Sequence, residues 1–287
     1  MGRERAIALG LVLASVVSPQ VGAAFAVTLF GELGAAGTAF LRLAFAAIVL
    51  WVIWRPRISG DLRLAGAFGL ALGLMNWSFY EAIDRIPLGI AVTIEFAGPL
   101  LLAVLGSRRL LDGLWIVLAG AGIVLLVGPG GGSVDLLGVG LALVAAVCWM
   151  AEIYLSKRVG AVFPGGSGLA LAMVVGALVL LPAGLFQAGA AFVQPGLLGA
   201  AFVVAIASSV LPYSLELEAL RRLPAAIYGV LMSLDPAVAA VAGFVVLNQA
   251  LGAREVIGIA LVVAASAGAA GLGHHEGEPR ALALDPE

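Results

Sequence analysis

The chain has 287 residues, of which 62% are hydrophobic and only 11% charged, at a mean hydropathy of +1.14. A soluble domain carries about 25% charged residues, so an ordinary water-soluble fold is excluded and the membrane class is indicated. A net charge of −2 offers nucleic acid no basic surface, and the single cysteine, Cys148, excludes an internal disulfide and a thiolate metal cluster.

The apolar runs are continuous rather than alternating, which predicts an all-α membrane protein and not a barrel. Arg3 and Arg5 open the chain, and the apolar run 6–30 that follows is too long for a signal-peptide core, so it is expected to be a retained first transmembrane helix. Nine further spans are expected at 36–54, 64–83, 88–106, 114–128, 137–155, 168–186, 197–217, 226–247 and 255–273; a helix needs about 20 residues to cross the hydrocarbon. The glycine-rich run 128–133 lacks the lysine of a phosphate-binding loop and is expected to be a flexible connection. The tail 274–287 turns polar and is expected to be disordered on the cytoplasmic side.

Basic residues set the orientation. With the N-terminus in the cytoplasm, that side holds Arg3, Arg5, Arg55, Arg57, Arg63, Arg108, Arg109, Lys157, Arg158, Arg221, Arg222 and Arg280, while the outer side holds only Arg85 and Arg254. Both termini are therefore expected in the cytoplasm, with an even number of spans.

A repeat lies within this pattern. The segment 87–99, PLGIAVTIEFAGP, and the segment 224–236, PAAIYGVLMSLDP, each run between prolines and each carry one acid, Glu95 and Asp235. A shift of 137 superposes Pro87 on Pro224 and Pro99 on Pro236, and it also places Arg85, expected outside, on Arg222, expected inside. Two inverted five-helix repeats are expected, 1–135 and 136–273, the arrangement of secondary transporters with a site near the bilayer midplane. Pro99, Pro212 and Pro236 each remove a backbone donor within a span and are expected to mark helix breaks. Small-residue pairs such as Gly69 and Gly73, or Ala239 and Gly243, fit close helix packing.

Three ionisable residues fall deep within spans: Arg42, Glu95 and Asp235. Each costs about 2.5–3.5 kcal/mol at the bilayer centre on insertion scales, so each needs compensation. Arg42 and Glu95 are expected at one depth, roughly 9–10 Å in from the outer side. They form either a structural ion pair or a site in which Arg42 holds a carboxylate and Glu95 an ammonium or a proton. Asp235 has no cation at its expected depth; it is either a neutral cap on the backbone freed by Pro236 or a proton-carrying group. Gln20, Asn76, Tyr80 and Tyr213 are candidate substrate contacts, although isolated groups of this kind more often join helices. Glu81, Glu152, Glu216 and Glu218 lie toward span ends, and snorkelling is the expectation for them.

Nothing in the sequence assembles a catalytic set. The only histidines, His274 and His275, stand together in the tail, so no Ser–His–Asp triad, metal site or haem is expected, no cofactor is implied, and the chain is not expected to be an enzyme.

Several stretches carry a resemblance. These are MNWSFYEAIDRIPLGIAVTIEFAGPL at 75–100 with SRR at 107–109, LPYSLELEALRRLP at 211–224 with MSLDPAVAAV at 232–241, and the shorter Cys148–Trp149 and Ser18-Pro-Gln20. Through them the chain resembles the EamA-type drug/metabolite transporter superfamily and, within it, the threonine/homoserine exporter family. The resemblance implies ten helices in inverted repeats and export of small amino acids from the cytoplasm across the inner membrane, driven by an ion gradient. It also implies functional roles for Gln20, Arg42, Asn76, Tyr80, Glu95, Pro99, Tyr213, Glu216 and Pro236. Asp235 stands where the family pattern has a longer acid, Glu152 stands where it has an aromatic, and Glu81 and Glu218 are also unusual. The partners expected are a small zwitterion, protons and the lipid bilayer, with no nucleic acid; a monomer and a homodimer are both compatible. The alternatives are an exporter of other metabolites or drugs in the same fold, and a membrane scaffold that transports nothing.

Overall fold

The computed structural model describes residues 2–56, 60–105, 111–128, 134–220 and 225–272. Where water is absent every backbone donor and acceptor needs an internal partner, so the leucine-, valine- and alanine-rich runs close into helices. In chain order these are α1 (Gly2–Val27), α2 (Phe30–Trp54), α3 (Leu62–Ile83), α4 (Leu88–Glu95), α5 (Ala97–Leu105), α6 (Leu111–Val127), α7 (Leu136–Val162), α8 (Ser167–Ala188), α9 (Pro195–Ala205), α10 (Leu211–Leu220), α11 (Ala225–Met232), α12 (Asp235–Leu247) and α13 (Ala253–Leu272). A short 3-10 turn, Gly189–Val193, follows α8, and a π-helical segment, Ile206–Val210, joins α9 to α10.

Among the described residues eight stretches are long and apolar enough to cross a bilayer: Ile7–Val27, Phe30–Trp54, Leu88–Leu105, Leu136–Val162, Ser167–Val193, Pro195–Glu216, Ile227–Leu247 and Ala253–Ala270. The chain is thus an all-helical, multi-pass membrane protein. Of the two other expected spans, one is the shorter apolar helix Gly113–Val127. The other is α3, 22 residues long but carrying Arg63, Asn76 and Glu81. The tail 274–287, with His274 and His275, and the connections holding Arg57, Arg108, Arg109, Arg221, Arg222 and Pro224 lie outside the described residues.

Helix bounds differ from the expectation where prolines or glycines intervene. The fourth span breaks at Phe96, between α4 and α5, and the ninth at Ser233–Leu234, between α11 and α12. Pro99 and Pro236 sit in the first turn of the second half, where a missing N–H costs little, so the break precedes the proline. Pro212 is the second residue of α10, directly after the π segment. The second span begins at Phe30 rather than 36 and is kinked at Gly34, whose φ of 71° only glycine adopts readily. The kink frees the N–H of Ala36, which donates to Gln187 Oε1 at 2.7 Å.

The helices pack around one large buried cluster and four smaller ones. α2 packs on α8, α3 on α7 and α8, α1 on α10 and α12, α4 on α12, and α6 on α13. Small residues set the approach distances: a Cβ at Gly73 would lie 2.9 Å from Gly176 Cα of α8, and one at Gly89 would lie 2.7 Å from Ala240 Cα of α12. The two broken spans therefore meet backbone to backbone, with Glu95 ending α4 and Asp235 beginning α12.

Candidate functional site

Arg42 on α2 is held from three sides. Its Nε donates to Ser209 Oγ, Nη1 to Tyr80 Oη and Nη2 to the Ser208 carbonyl, each at 3.1 Å. The carbonyl is available because Pro212, four residues on, has no N–H to give it. The π segment acts in the same way one residue earlier. The N–H of Leu211 goes to Ile206, and the Ala207 carbonyl accepts instead from Ser18 Oγ at 2.6 Å. Tyr80 on α3 is fully buried, its ring 5.7 Å from that of Phe30 and 5.4 Å from the Arg42 guanidinium carbon. The expected Arg42–Glu95 ion pair is not formed. Each guanidinium nitrogen already has an oxygen partner on the π segment or on Tyr80, and no salt bridge joins Arg42 to Glu95.

Four acids lie in and beside this region. Glu95 is buried at the end of α4, with Arg42, Glu152 and Asp235 as its charged neighbours. Asp235, only 3% exposed, accepts from Gln20 Nε2 of α1 at 3.4 Å, and its charged neighbour is Glu216. It does not cap its own helix. Among the described residues no cation acts on Asp235. Gln20 is thus a direct partner of the second acid and at the same time joins α1 to α12.

Glu152 departs most from expectation. It does not snorkel: the side chain is 7% exposed, Oε1 accepts from the Tyr213 hydroxyl of α10 at 3.3 Å, and Oε2 is buried with no partner. The reason is length. The apolar run suggests a span ending at 155, yet α7 continues to Val162, so Glu152 lies about ten residues, roughly 15 Å, from the helix end. Glu216 also turns inward, half-buried beside the Tyr228 hydroxyl of α11, without a hydrogen bond of standard geometry between them. The family resemblance had pointed to Glu216; Tyr228, Ser208, Ser209 and Ser18 were missed, and their only signal was polarity inside an apolar run.

Asn76 is buried, but its amide donates to the Leu72 carbonyl of its own helix at 2.8 Å rather than to another helix. Glu81 is tied down rather than snorkelling: it pairs with Arg85 at 2.7 Å and accepts from Gln187 Nε2 at 2.8 Å. The side chain of Glu218 lies outside the described residues. Among the described residues no group of three His, Cys, Asp or Glu could hold a metal ion. The arrangement is therefore one fixed guanidinium and several buried carboxylates, able to receive a carboxylate, an ammonium or protons.

Residues 136–270 match the EamA-like transporter family. The chain is 41% identical over 264 residues to the threonine/homoserine exporter RhtA of Salmonella typhimurium strain LT2, covering 90% of this chain and 89% of that one. It matches RhtA of Escherichia coli strain K12 to the same extent, 41% over 264 residues. A solved crystal structure aligns with a TM-score of 0.61 over 91% of this chain and 96% of its own, at 18% identity, which establishes likeness of fold alone.

Proposed function

The chain belongs to the EamA-type transporters, in the threonine/homoserine exporter family, and from that premise we propose that it exports small amino acids from the cytoplasm by exchange for protons. The observation that carries the reading is the pair of buried acids, Glu95 and Asp235, each at the break of a span, on two spans in direct backbone contact. A carboxylate there is occupied by a proton or by the ammonium of a substrate, but not by both. Alternation between the two occupants couples the fluxes. Arg42, already ordered by Tyr80 and Ser209, receives the substrate carboxylate, while Gln20, Asn76 and Tyr213 line the path.

Ten spans in two inverted repeats, 1–135 and 136–273, complete the proposal, with both termini in the cytoplasm and the chain in the inner membrane. The contacts support it. Exchanging the halves turns α3 on α7 into α10 on α1, and α4 and α5 on α7 into α11 and α12 on α1; the pairs α2–α8 and α6–α13 are unchanged. Alternating access then amounts to rocking one half against the other about the acids. A proton entering down about 100 mV releases roughly 2.3 kcal/mol, which supports about fifty-fold accumulation.

The test is uptake of labelled homoserine into everted vesicles energised with a pH gradient. The wild type accumulates it; Glu95→Gln and Asp235→Asn insert normally but do not accumulate it. Accumulation by both variants at the wild-type level refutes the coupling role.

A further inference from the structure

The site holds more acid than a zwitterion needs. Glu95, Glu152, Glu216 and Asp235 neighbour one another, and among the described residues Arg42 is the one cation acting on Glu95 and Glu152. A neutral amino acid brings one carboxylate, suited to Arg42, and one ammonium, which a single acid satisfies. Glu152 remains. Its Oε1 is fixed by the Tyr213 hydroxyl at 3.3 Å, and its Oε2 is buried without a partner in a residue only 7% exposed. A buried polar atom left unpaired is costly unless something completes it. An acceptor held by one oxygen and vacant at the other is completed by a donor, and by a cationic donor most strongly.

We propose that Glu152 receives a second ammonium group of the substrate, so that the chain recognises short diamino acids in preference to their neutral counterparts. This rests on the exporter reading and narrows its substrate class. The Tyr213 hydrogen bond orients the carboxylate, Arg42 anchors the α-carboxylate, and Glu95 or Asp235 meets the α-ammonium. The side-chain ammonium then reaches Glu152 only in a substrate long enough to bridge from the backbone-binding end of the site.

Homoserine and 2,4-diaminobutyrate form the discriminating pair, since they share a carbon skeleton and differ in a terminal hydroxyl against a terminal ammonium. Purified protein in proteoliposomes preloaded with unlabelled homoserine is challenged with each labelled compound in counterflow. The wild type is expected to prefer diaminobutyrate by at least about tenfold in kcat/KM, the scale of one charge-assisted contact. Glu152→Gln is expected to reduce that ratio at least tenfold, and Glu152→Asp to keep part of it. A wild type that moves homoserine with no such preference overturns the assignment and leaves the exporter reading standing, and this outcome needs no variant to fold. A preference that survives unchanged in Glu152→Gln also overturns it. Movement of neither compound removes both readings together.

Discussion

At the scale of the residue, the guanidinium of Arg42 is the best-defined chemical feature. Three donors in a fixed fork reach a phenol, a serine hydroxyl and a carbonyl. A lysine at this position keeps the charge but cannot reproduce the fork, and each hydrogen bond lost from a charged group costs about 1.5–3 kcal/mol. Arg42→Lys should therefore lower the thermal unfolding midpoint in detergent and raise the KM for homoserine at least about tenfold; a variant equal to the wild type in both would show the fork to be incidental. The sequence identified Arg42 as deeply placed but paired it with the wrong group. Depth along two helices can be counted from their starts, whereas rotation about each axis cannot. The carbonyl that Arg42 finds at Ser208 was foreshadowed by Pro212, since a proline always frees the acceptor four residues before it, but the sequence does not say which distant side chain fills the vacancy. Glu152 was misjudged through its helix end: taking 155 as the end of the span made Lys157 and Arg158 its natural company.

At the scale of the element, hydropathy located eight stretches that the structure also shows long and apolar enough to span, because span length follows from bilayer thickness. Hydropathy does not mark the discontinuities; the prolines did, a few residues from where they fall, because the break depends on where a proline can be tolerated. Pro99 and Pro236 occupy first turns and throw the break to Phe96 and to Ser233–Leu234, whereas Pro19 and Pro182 sit inside α1 and α8. Helix contact depends as strongly on missing side chains. A Cβ at Gly98 would overlap the Ala146 carbonyl of α7, a backbone atom that cannot rotate aside, while one at Gly140 meets nothing within 4 Å. Gly98→Ala should push α5 off α7 at a cost of about 1–3 kcal/mol, and Gly140→Ala should stay within about 0.5 kcal/mol of the wild type. Thermal unfolding in detergent compares the two directly, and equal midpoints would contradict the close approach of α5 to α7.

At the scale of the molecule, composition alone excluded a soluble protein, and the twin proline-bounded segments pointed to a repeated architecture. The sequence could not show that acids from α4, α7, α10 and α12 neighbour one another, with Arg42 acting on those of α4 and α7, because their separation along the chain carries no information about which faces turn inward. That clustering is the ground on which proton exchange is proposed: a site rich in carboxylates would take up protons when the cationic group of a substrate leaves. The most direct measurement is luminal pH in proteoliposomes that contain the wild-type protein and a trapped pH indicator, with no gradient imposed. Addition of homoserine outside should raise the luminal pH as protons leave in exchange, and Glu95→Gln should abolish the signal. Entry of labelled homoserine through the wild type with no change in luminal pH would contradict the account.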